Sequence, residues 1–141
     1  MIKAGEVWSY DAYYLDGDEF KRKYLLALFV GAAGDIVYRL LTSRQNGRPM
    51  DPCCFHGMPY PGFYLGVLGN GLEKNSWLDL RECDDMDSHE FAKLFREGVL
   101  KQIGMLKVDQ FRDALNCAAN ADDTTRRQRH SILDAKAAIG S

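Results

Sequence analysis

Short apolar runs separated by turn residues occupy the first two thirds of the chain. The segment 24–32 is a continuous apolar run, which is typical of a strand buried on both faces. Gly34 and the Asn70-Gly71 pair mark tight turns, because they tolerate a positive φ. We predict strands at 5–14, 24–32, 36–42, 63–69, 76–83 and 99–106, with a polar turn over 15–23.

Helical spacing appears towards the end of the chain. Asp87 is a candidate N-cap for a helix over 87–98 that Gly98 ends, and the segment 108–119 has apolar residues at helical spacing. Nothing in the composition marks a linker, so we predict one domain over 1–141 that becomes helical from about residue 107. Strands followed by helices indicate an α+β domain, mainly β, around a small barrel.

The segment 44–62 interrupts this order as a long insertion. It holds all four prolines of the chain, which prevents regular structure, and loops of this length are usually functional. Tyr60 and other aromatic residues are interleaved with Arg44 and Arg48, and such a mixture can hold unpaired bases. The alternative is that the aromatic residues fold the loop back onto the barrel.

The charge balance and the apolar runs limit the choice of partners. The formal net charge is −2, so a nucleic-acid site would have to be a local basic patch. No apolar run approaches the length of a membrane span, and the first residues lack the apolar core of a signal peptide. We therefore expect a cytoplasmic protein without membrane contact.

The four cysteines are Cys53, Cys54, Cys83 and Cys117. In a reducing compartment they are most simply free thiols. Cys53 and Cys54 followed by His56 invite a metal interpretation, but the spacing C-C-x-H matches no common zinc pattern. We therefore predict no metal site and no cofactor, and keep a thiol or metal function of these residues as an alternative.

Three segments in the same order resemble the PemK/MazF family of bacterial toxins. They are the "GEVW" start within 3–28, the strand "YRLLTSRQ" (38–45) with its Thr-Ser end, and "VLKQIGMLKVDQFRDAL" (99–115) with a closing strand and helix. A fourth, "WLDLREC" (77–83), is similar to a family strand that carries an aspartate and an arginine. The resemblance implies an SH3-like β-barrel with a C-terminal helix, here with one inserted helix, that is often a homodimer.

The activity implied by the resemblance is that of a toxin–antitoxin endoribonuclease. Such an enzyme cleaves single-stranded RNA without a metal ion and is inhibited by a small antitoxin protein. Thr42 and Ser43 would position the phosphate, and Arg44 and Arg48 would add local positive potential. The alternative for the two hydroxyls is a strand-end turn in which they bond backbone groups.

Two further positions follow from the family strand at 77–83. Asp79 would be the active-site aspartate and Arg81 an RNA-binding arginine, with Tyr60 available to stack on a base. The alternatives are a solvent-facing Asp79 and an Arg81 that, like Arg39, points outward and pairs with acidic neighbours.

The start of the second strand departs from the family pattern. Where the family has a catalytic arginine followed by proline, this chain has Lys23 and then tyrosine, and Arg22 lies one residue earlier. Adjacent strand residues point to opposite faces, so only one of the two can replace that arginine directly. Glu19 would be the base where other members use a histidine, and its alternative is an exposed loop carboxylate.

Two functions therefore compete. One is the endoribonuclease, with Lys23 or Arg22 converging on Thr42, Ser43 and Asp79 at one concave surface. The other is a non-catalytic SH3-like module that binds protein or nucleic acid through the 44–62 loop.

Overall fold

An antiparallel sheet of eight strands forms the centre of the protein. The structure is a computed structural model that describes residues 2–15 and 19–139. Within these ranges it describes every side chain except those of residues 12–15 and 19–21. The strands are β1 (Glu6–Leu15), β2 (Glu19–Val30), β3 (Asp35–Thr42), β4 (Cys54–Phe55), β5 (Gly62–Gly66), β6 (Ser76–Asp79), β7 (Met86–Asp87) and β8 (Leu100–Met105). Their order in the sheet is β4-β5-β6-β3-β2-β1-β8, and β7 pairs with β3.

The mixed α and β class with a majority of strands is confirmed, and β1, β2 and β3 form an antiparallel meander. The described strands form an open path whose ends are β4 and β8. Pairing between those two ends, which would close a barrel, is not among the contacts of the described residues. Register shifts interrupt the β1–β2, β1–β8, β2–β3 and β5–β6 pairings, and such shifts bend a sheet.

Two strand boundaries differ from the sequence prediction. The polar segment 15–23 was expected to be a turn, but β2 already begins at Glu19, where it pairs with Leu15 of β1. Cross-strand pairing outweighs polar composition there. The short strand β4 forms inside the proline-rich loop by pairing with β5, so that loop is not wholly irregular.

Three helices complete the described fold: α1 (Ser88–Arg96), α2 (Val108–Ala119) and α3 (Arg126–Ile139). The predicted cap of α1 is confirmed, because the Asp87 carboxylate accepts a hydrogen bond from the backbone N–H of His89 at 2.6 Å. The predicted stop at Gly98 also holds, with φ at 76°. None of the helices in the described part has the length and apolar character to cross a membrane.

Both faces of the sheet are covered. Leu26 and Leu28 of β2 point to the face on which α2 and α3 pack, and Leu25 and Ala27 point to the opposite face. On that second face α1 packs against β1, with aromatic edge-to-face contacts between the two. The continuous apolar pattern of β2 follows from this burial on both sides.

Arg39 is fully buried on the face covered by α3, although its alternation suggested an outward-facing side chain. Its guanidinium donates to Gln128 Oε1 of α3 at 2.9 Å and to the backbone carbonyls of Tyr38 at 2.8 Å and Cys83 at 3.3 Å. Gln128 in turn donates to Asp85 at 2.8 Å. The outward-facing interpretation is wrong for Arg39, because these carbonyl and amide oxygens replace its water.

We expect Arg39→Ala to lower the free energy of unfolding by about 3–5 kcal/mol, since it leaves a cavity and unpaired polar groups around Gln128. The matched control is Arg127→Ala, which removes an exposed arginine whose only described ion pair is with Asp35 at 3.2 Å. That control should cost less than about 1 kcal/mol. Urea unfolding measures both, and equal losses would contradict a structural role for the buried arginine.

Candidate nucleic-acid interface

A cavity of about 220 Å³ opens where the start of β2 and the end of β3 meet the segment between β5 and β6. We call it the basic cavity, because four cationic side chains line it. The lining residues are Arg22, Lys23, Tyr24, Leu41, Thr42, Ser43, Arg44, Gly71, Leu72, Glu73, Lys74 and Ser76. Five of the residues predicted for phosphate and RNA contacts are thus brought together: Arg22, Lys23, Thr42, Ser43 and Arg44.

The Asn70-Gly71 turn closes one side of the basic cavity. Asn70 and Gly71 have φ values of 53° and 99°, the two successive positive angles that an Asn-Gly turn requires. A Cβ on Gly71 would lie 3.3 Å from the Tyr24 hydroxyl, so the turn approaches β2 closely. This turn carries Glu73 and Lys74 to the basic cavity, and the sequence had indicated only the turn.

The strand register places Lys23 beside Thr42. Tyr24 pairs with Leu41, so the next antiparallel pair is Lys23 with Thr42, and Thr42 in turn pairs with Trp77 of β6. Paired residues point to the same face of a sheet, which directs an ammonium and a hydroxyl to one surface. Thr42 Oγ1 also accepts a hydrogen bond from the backbone N–H of Arg44 at 3.1 Å. The strand-end turn therefore exists, and it leaves the hydroxyl proton to donate to a ligand.

Arg22 reaches the basic cavity from the other face of β2. Its Nε lies 2.8 Å from Asp11 Oδ1, and the charge of Asp11 raises the pKa of the Arg22 guanidinium. The side chain is 62% exposed, so the pair is of the weak surface kind. Lys23 has no such carboxylate partner among the described ion pairs.

The charges in the basic cavity are strongly unequal. Among the described lining residues there are four cations, Arg22, Lys23, Arg44 and Lys74, and one carboxylate, Glu73. The Oε1 of Glu73 accepts a hydrogen bond from the backbone N–H of Gly71 at 3.3 Å. In a chain of net charge −2 this is a local basic patch of the kind that a phosphate backbone requires.

Asp79 lies outside the basic cavity. It ends β6 at 9% exposure, and Arg81 binds both of its oxygens, with Nη2 2.6 Å from Oδ2 and Nε 3.0 Å from Oδ1. Burial by itself would raise the pKa of Asp79, but the hydrogen bonds from Arg81 and the nearby charge of Arg48 hold it below its usual value. An ionised carboxylate that is fully occupied by a guanidinium is a poor base.

Asp79 and Arg81 line a second cavity of about 370 Å³, together with Met58 and Pro59 of the 44–62 loop. Glu82 and Asp123 also line it, so carboxylates outnumber the one cation there, and we call it the acidic cavity. The expected convergence of Asp79 with Thr42 and Ser43 on one cavity is therefore not found among the described residues.

Arg48 is 1% exposed, and its guanidinium binds the backbone of the 44–62 loop. Its Nε donates to the Pro61 carbonyl at 3.1 Å and its Nη1 to the Arg44 carbonyl at 2.9 Å, so it ties together the two ends of the 44–62 loop. Its Nη2 lies 3.5 Å from Asp79 Oδ1. A Cβ on Gly62 would lie 2.6 Å from Arg48 Cδ, so only glycine admits the arginine there. Arg48 is therefore not part of the exposed basic surface.

Tyr60 lies against two guanidinium groups. Its ring centre is 5.4 Å from Cζ of Arg48 and 5.3 Å from Cζ of Arg81, within the range of cation–π contacts. This geometry corresponds to the alternative in which the aromatic residues fold the loop back onto the sheet. About half of the Arg81 side chain is exposed, so this predicted RNA-binding residue remains accessible. The side chain of Glu19, the predicted base, lies outside the described part of the structure.

Two cysteines are joined in a disulfide, which corrects the expectation of four free thiols. Cys54 of β4 is bonded to Cys117 of α2, and His56 Nε2 lies 3.4 Å and 3.6 Å from the two sulfurs. The sequence singled out Cys54 and His56 but not Cys117, because 63 residues separate the bonded pair. Cys53 and Cys83 are free, and burial raises the pKa of the Cys83 thiol.

Sequence comparisons do not assign the chain to a family. No model of a known protein family matches the chain, and no curated protein sequence matches it. The fold and the site define an α+β protein with a basic, hydroxyl-bearing cavity at the ends of two central strands.

Asp79 should make stability depend on pH. Its folded pKa is lowered, so its ionic contacts stabilise the protein above the unfolded pKa and are lost as the pH falls through the folded pKa. We expect the free energy of unfolding of Asp79→Asn to be lower at pH 7 and to change less between pH 5 and pH 2 than that of the wild type, by about 1.4 kcal/mol per unit of lost pKa shift.

The control for this prediction is Asp109→Asn, whose carboxylate side chain is 96% exposed beside Arg112. Urea unfolding at a series of pH values measures all three proteins. If Asp79→Asn followed the same pH curve as the wild type, the ionic contacts with Arg81 and Arg48 would not stabilise the fold.

Proposed function

We propose that the protein is a toxin-like, metal-independent endoribonuclease that binds single-stranded RNA in the basic cavity. The observation that carries the proposal is the arrangement of Lys23, Arg22 and Arg44 around the hydroxyls of Thr42 and Ser43 in one cavity. Cations supply the sequence-independent attraction for a phosphate chain, and hydroxyls fix its register.

The residues of the basic cavity match the needs of RNA cleavage without a metal. A base takes the proton of the ribose 2′-OH, and the 2′-oxygen attacks phosphorus while the bond to the 5′-oxygen breaks. The products are a 2′,3′-cyclic phosphate and a 5′-hydroxyl, which receives its proton from a general acid. Glu73 is the proposed base, and the Lys23 ammonium, with Arg44, stabilises the charge on the phosphoryl oxygens.

The family assignment belongs to the same proposal. A PemK/MazF-like protein would have its strands wrapped into an SH3-like barrel, and the four register shifts of the sheet supply the bending that such wrapping needs. The departure at Lys23 would then be a replacement of the family arginine by a point charge without its planar fork.

Two protein partners accompany the proposal, a second copy of the chain and an inhibitory antitoxin. Support for protein contacts comes from exposed apolar residues at the edge strand β8 and the start of α2. Met105 is 60% exposed and Val108 59% exposed, and both line a groove of about 470 Å³. Cytoplasmic location is part of the proposal, since RNA and antitoxins are found there.

One observation favours the competing function, which is binding of RNA or protein without cleavage. Asp79, the expected active-site aspartate, is bound on both oxygens by Arg81 and lines a different cavity from Thr42. In that case the basic cavity, or the loop held by Arg48, would bind its ligand and release it unchanged.

The test uses a long single-stranded RNA, EDTA, and protein whose disulfide is intact. We expect defined cuts with 2′,3′-cyclic phosphate ends, and we expect Lys23→Ala and Arg44→Ala each to weaken RNA binding and lower the slope of log affinity against log salt by about 0.7 per lost phosphate contact. Thr42→Ala should slow cleavage more than it weakens binding, because its hydroxyl orients the phosphate.

The matched control is Lys93→Ala, which removes an exposed lysine on α1 away from the basic cavity. It should bind and cut like the wild type. An equal loss in Lys93→Ala would show that the RNA contacts are diffuse and would reject the basic cavity as the site.

A second arm separates the two functions. Glu73→Gln should abolish the cuts while RNA affinity is kept or increased, since the variant loses a base and a negative charge. Tight binding with no cuts in the wild-type protein would reject the endoribonuclease and leave the binding function.

A further inference from the structure

A cluster of sulfur and nitrogen ligands lies apart from the basic cavity, at the edge of the sheet. Cys54 is on the edge strand β4, His56 follows it by two residues, and Cys117 is on α2. Their ligand atoms all lie within 4.8 Å of one another, the only such group of three among the described residues. Cys54 and His56 are partly buried and Cys117 is 2% exposed.

The histidine in this cluster already has the geometry of a metal ligand. Zinc bonds of about 2.3 Å to sulfur and about 2.0 Å to nitrogen, at a tetrahedral angle, place those two ligand atoms about 3.5 Å apart. His56 Nε2 lies 3.4 Å from Cys54 Sγ and 3.6 Å from Cys117 Sγ. The two nitrogen–sulfur separations therefore fit two edges of a zinc tetrahedron, and the two bonded sulfurs must move apart on reduction to form the third.

We propose that Cys54, His56 and Cys117 form a zinc site when the Cys54–Cys117 disulfide is reduced. The same three residues then hold β4 to α2 in two ways, by a disulfide under oxidising conditions and by a metal ion under reducing conditions. Cysteines in a reducing compartment bind metals more often than they form lasting disulfides, so the metal form suits such a compartment.

The exchange between the two forms balances with a dithiol reductant. The reductant gives two electrons and two protons to the disulfide, which becomes two thiols while the reductant becomes a disulfide. Zinc then displaces the two thiol protons and binds the thiolates. The S–S bond breaks, two Zn–S bonds and one Zn–N bond form, and the metal is not oxidised or reduced.

His56 needs a change of tautomer in this exchange. In the disulfide form Nε2 lies 2.9 Å from the backbone carbonyl of Cys117, a distance at which an Nε2–H donates a hydrogen bond. A metal ligand presents a lone pair instead, so the proton moves to Nδ1 when zinc is bound.

Ligand chemistry selects zinc over harder cations. Two thiolates and one imidazole suit zinc and similar soft ions, whereas magnesium and calcium require oxygen ligands. Three protein ligands leave one tetrahedral position for water or for the neighbouring thiol of Cys53, which is exposed and free.

The experiment uses the full chain, reduced with a phosphine and stripped of metal. It is titrated with Co²⁺, whose thiolate charge-transfer and tetrahedral d–d absorptions report the ligand set, and then with Zn²⁺ in competition. We expect one equivalent of metal in the reduced wild type and none in the oxidised protein. His56→Ala should weaken binding by more than about 100-fold, beyond the loss typical of an outer-sphere partner.

Cys83→Ser is the matched control, because Cys83 is the free cysteine that lies outside the segment 53–56. The Cys83→Ser variant should bind metal like the wild type. Cys54→Ser and Cys117→Ser should lose the charge-transfer band. If circular dichroism shows that either serine variant is unfolded, metal binding by His56→Ala decides whether the site exists, because that variant retains both cysteines. A folded, reduced wild type that binds no metal, or an equal loss in Cys83→Ser, would overturn the proposal.

Discussion

A buried guanidinium holds the least regular part of the protein in place. Arg48 is removed from water almost completely, and such a group is stable only where acceptors replace its hydration. Its acceptors are the carbonyls of Arg44 and Pro61, at the two ends of the proline-rich loop, with the Asp79 carboxylate at 3.5 Å. The path of the loop depends on this side chain, which also contacts the ring of Tyr60 and adds its charge to that of Arg81 beside Asp79.

The same contact shapes the basic cavity. Arg44 gives its carbonyl to Arg48, and its side chain lines the basic cavity beside Thr42. The loop is therefore anchored at the backbone of Arg44, whose side chain lines the basic cavity. A second anchor, between Cys54 and Cys117, ties the middle of the loop to α2.

What could be predicted from the sequence is what depends on neighbouring residues. The cap at Asp87, the Asn70-Gly71 turn and the helix over 108–119 follow from local rules, and the structure has each of them. The burial of Arg39 and Arg48 and the partner of Cys54 depend on residues distant in the chain. Neither alternation nor spacing shows which distant group will replace lost water.

The residues of the candidate site also fall into two groups, those that the sequence predicted and those that it did not. The residues of β2 and β3 that were predicted to contact phosphate lie together because the two strands pair as antiparallel neighbours, and Lys23 and Thr42 line the same cavity. Glu73 and Lys74 were missed, since a turn signal specifies a backbone and gives no information about what its side chains approach. Among the described residues that line the basic cavity, they add the one carboxylate and the fourth cation.

The positions of the charges decide which carboxylate is available for chemistry. Arg81 binds Asp79 through hydrogen bonds that lower the pKa of the Asp79 carboxyl and also occupy its lone pairs. Asp79 therefore cannot accept a proton from a substrate while Arg81 is bound to it. Glu73 is exposed, and its Oε1 accepts a hydrogen bond from the backbone N–H of Gly71, which leaves Oε2 without a partner among the described hydrogen bonds. Among the described residues that line the basic cavity, Glu73 is therefore the carboxylate on which the proposed cleavage, as opposed to binding, would depend.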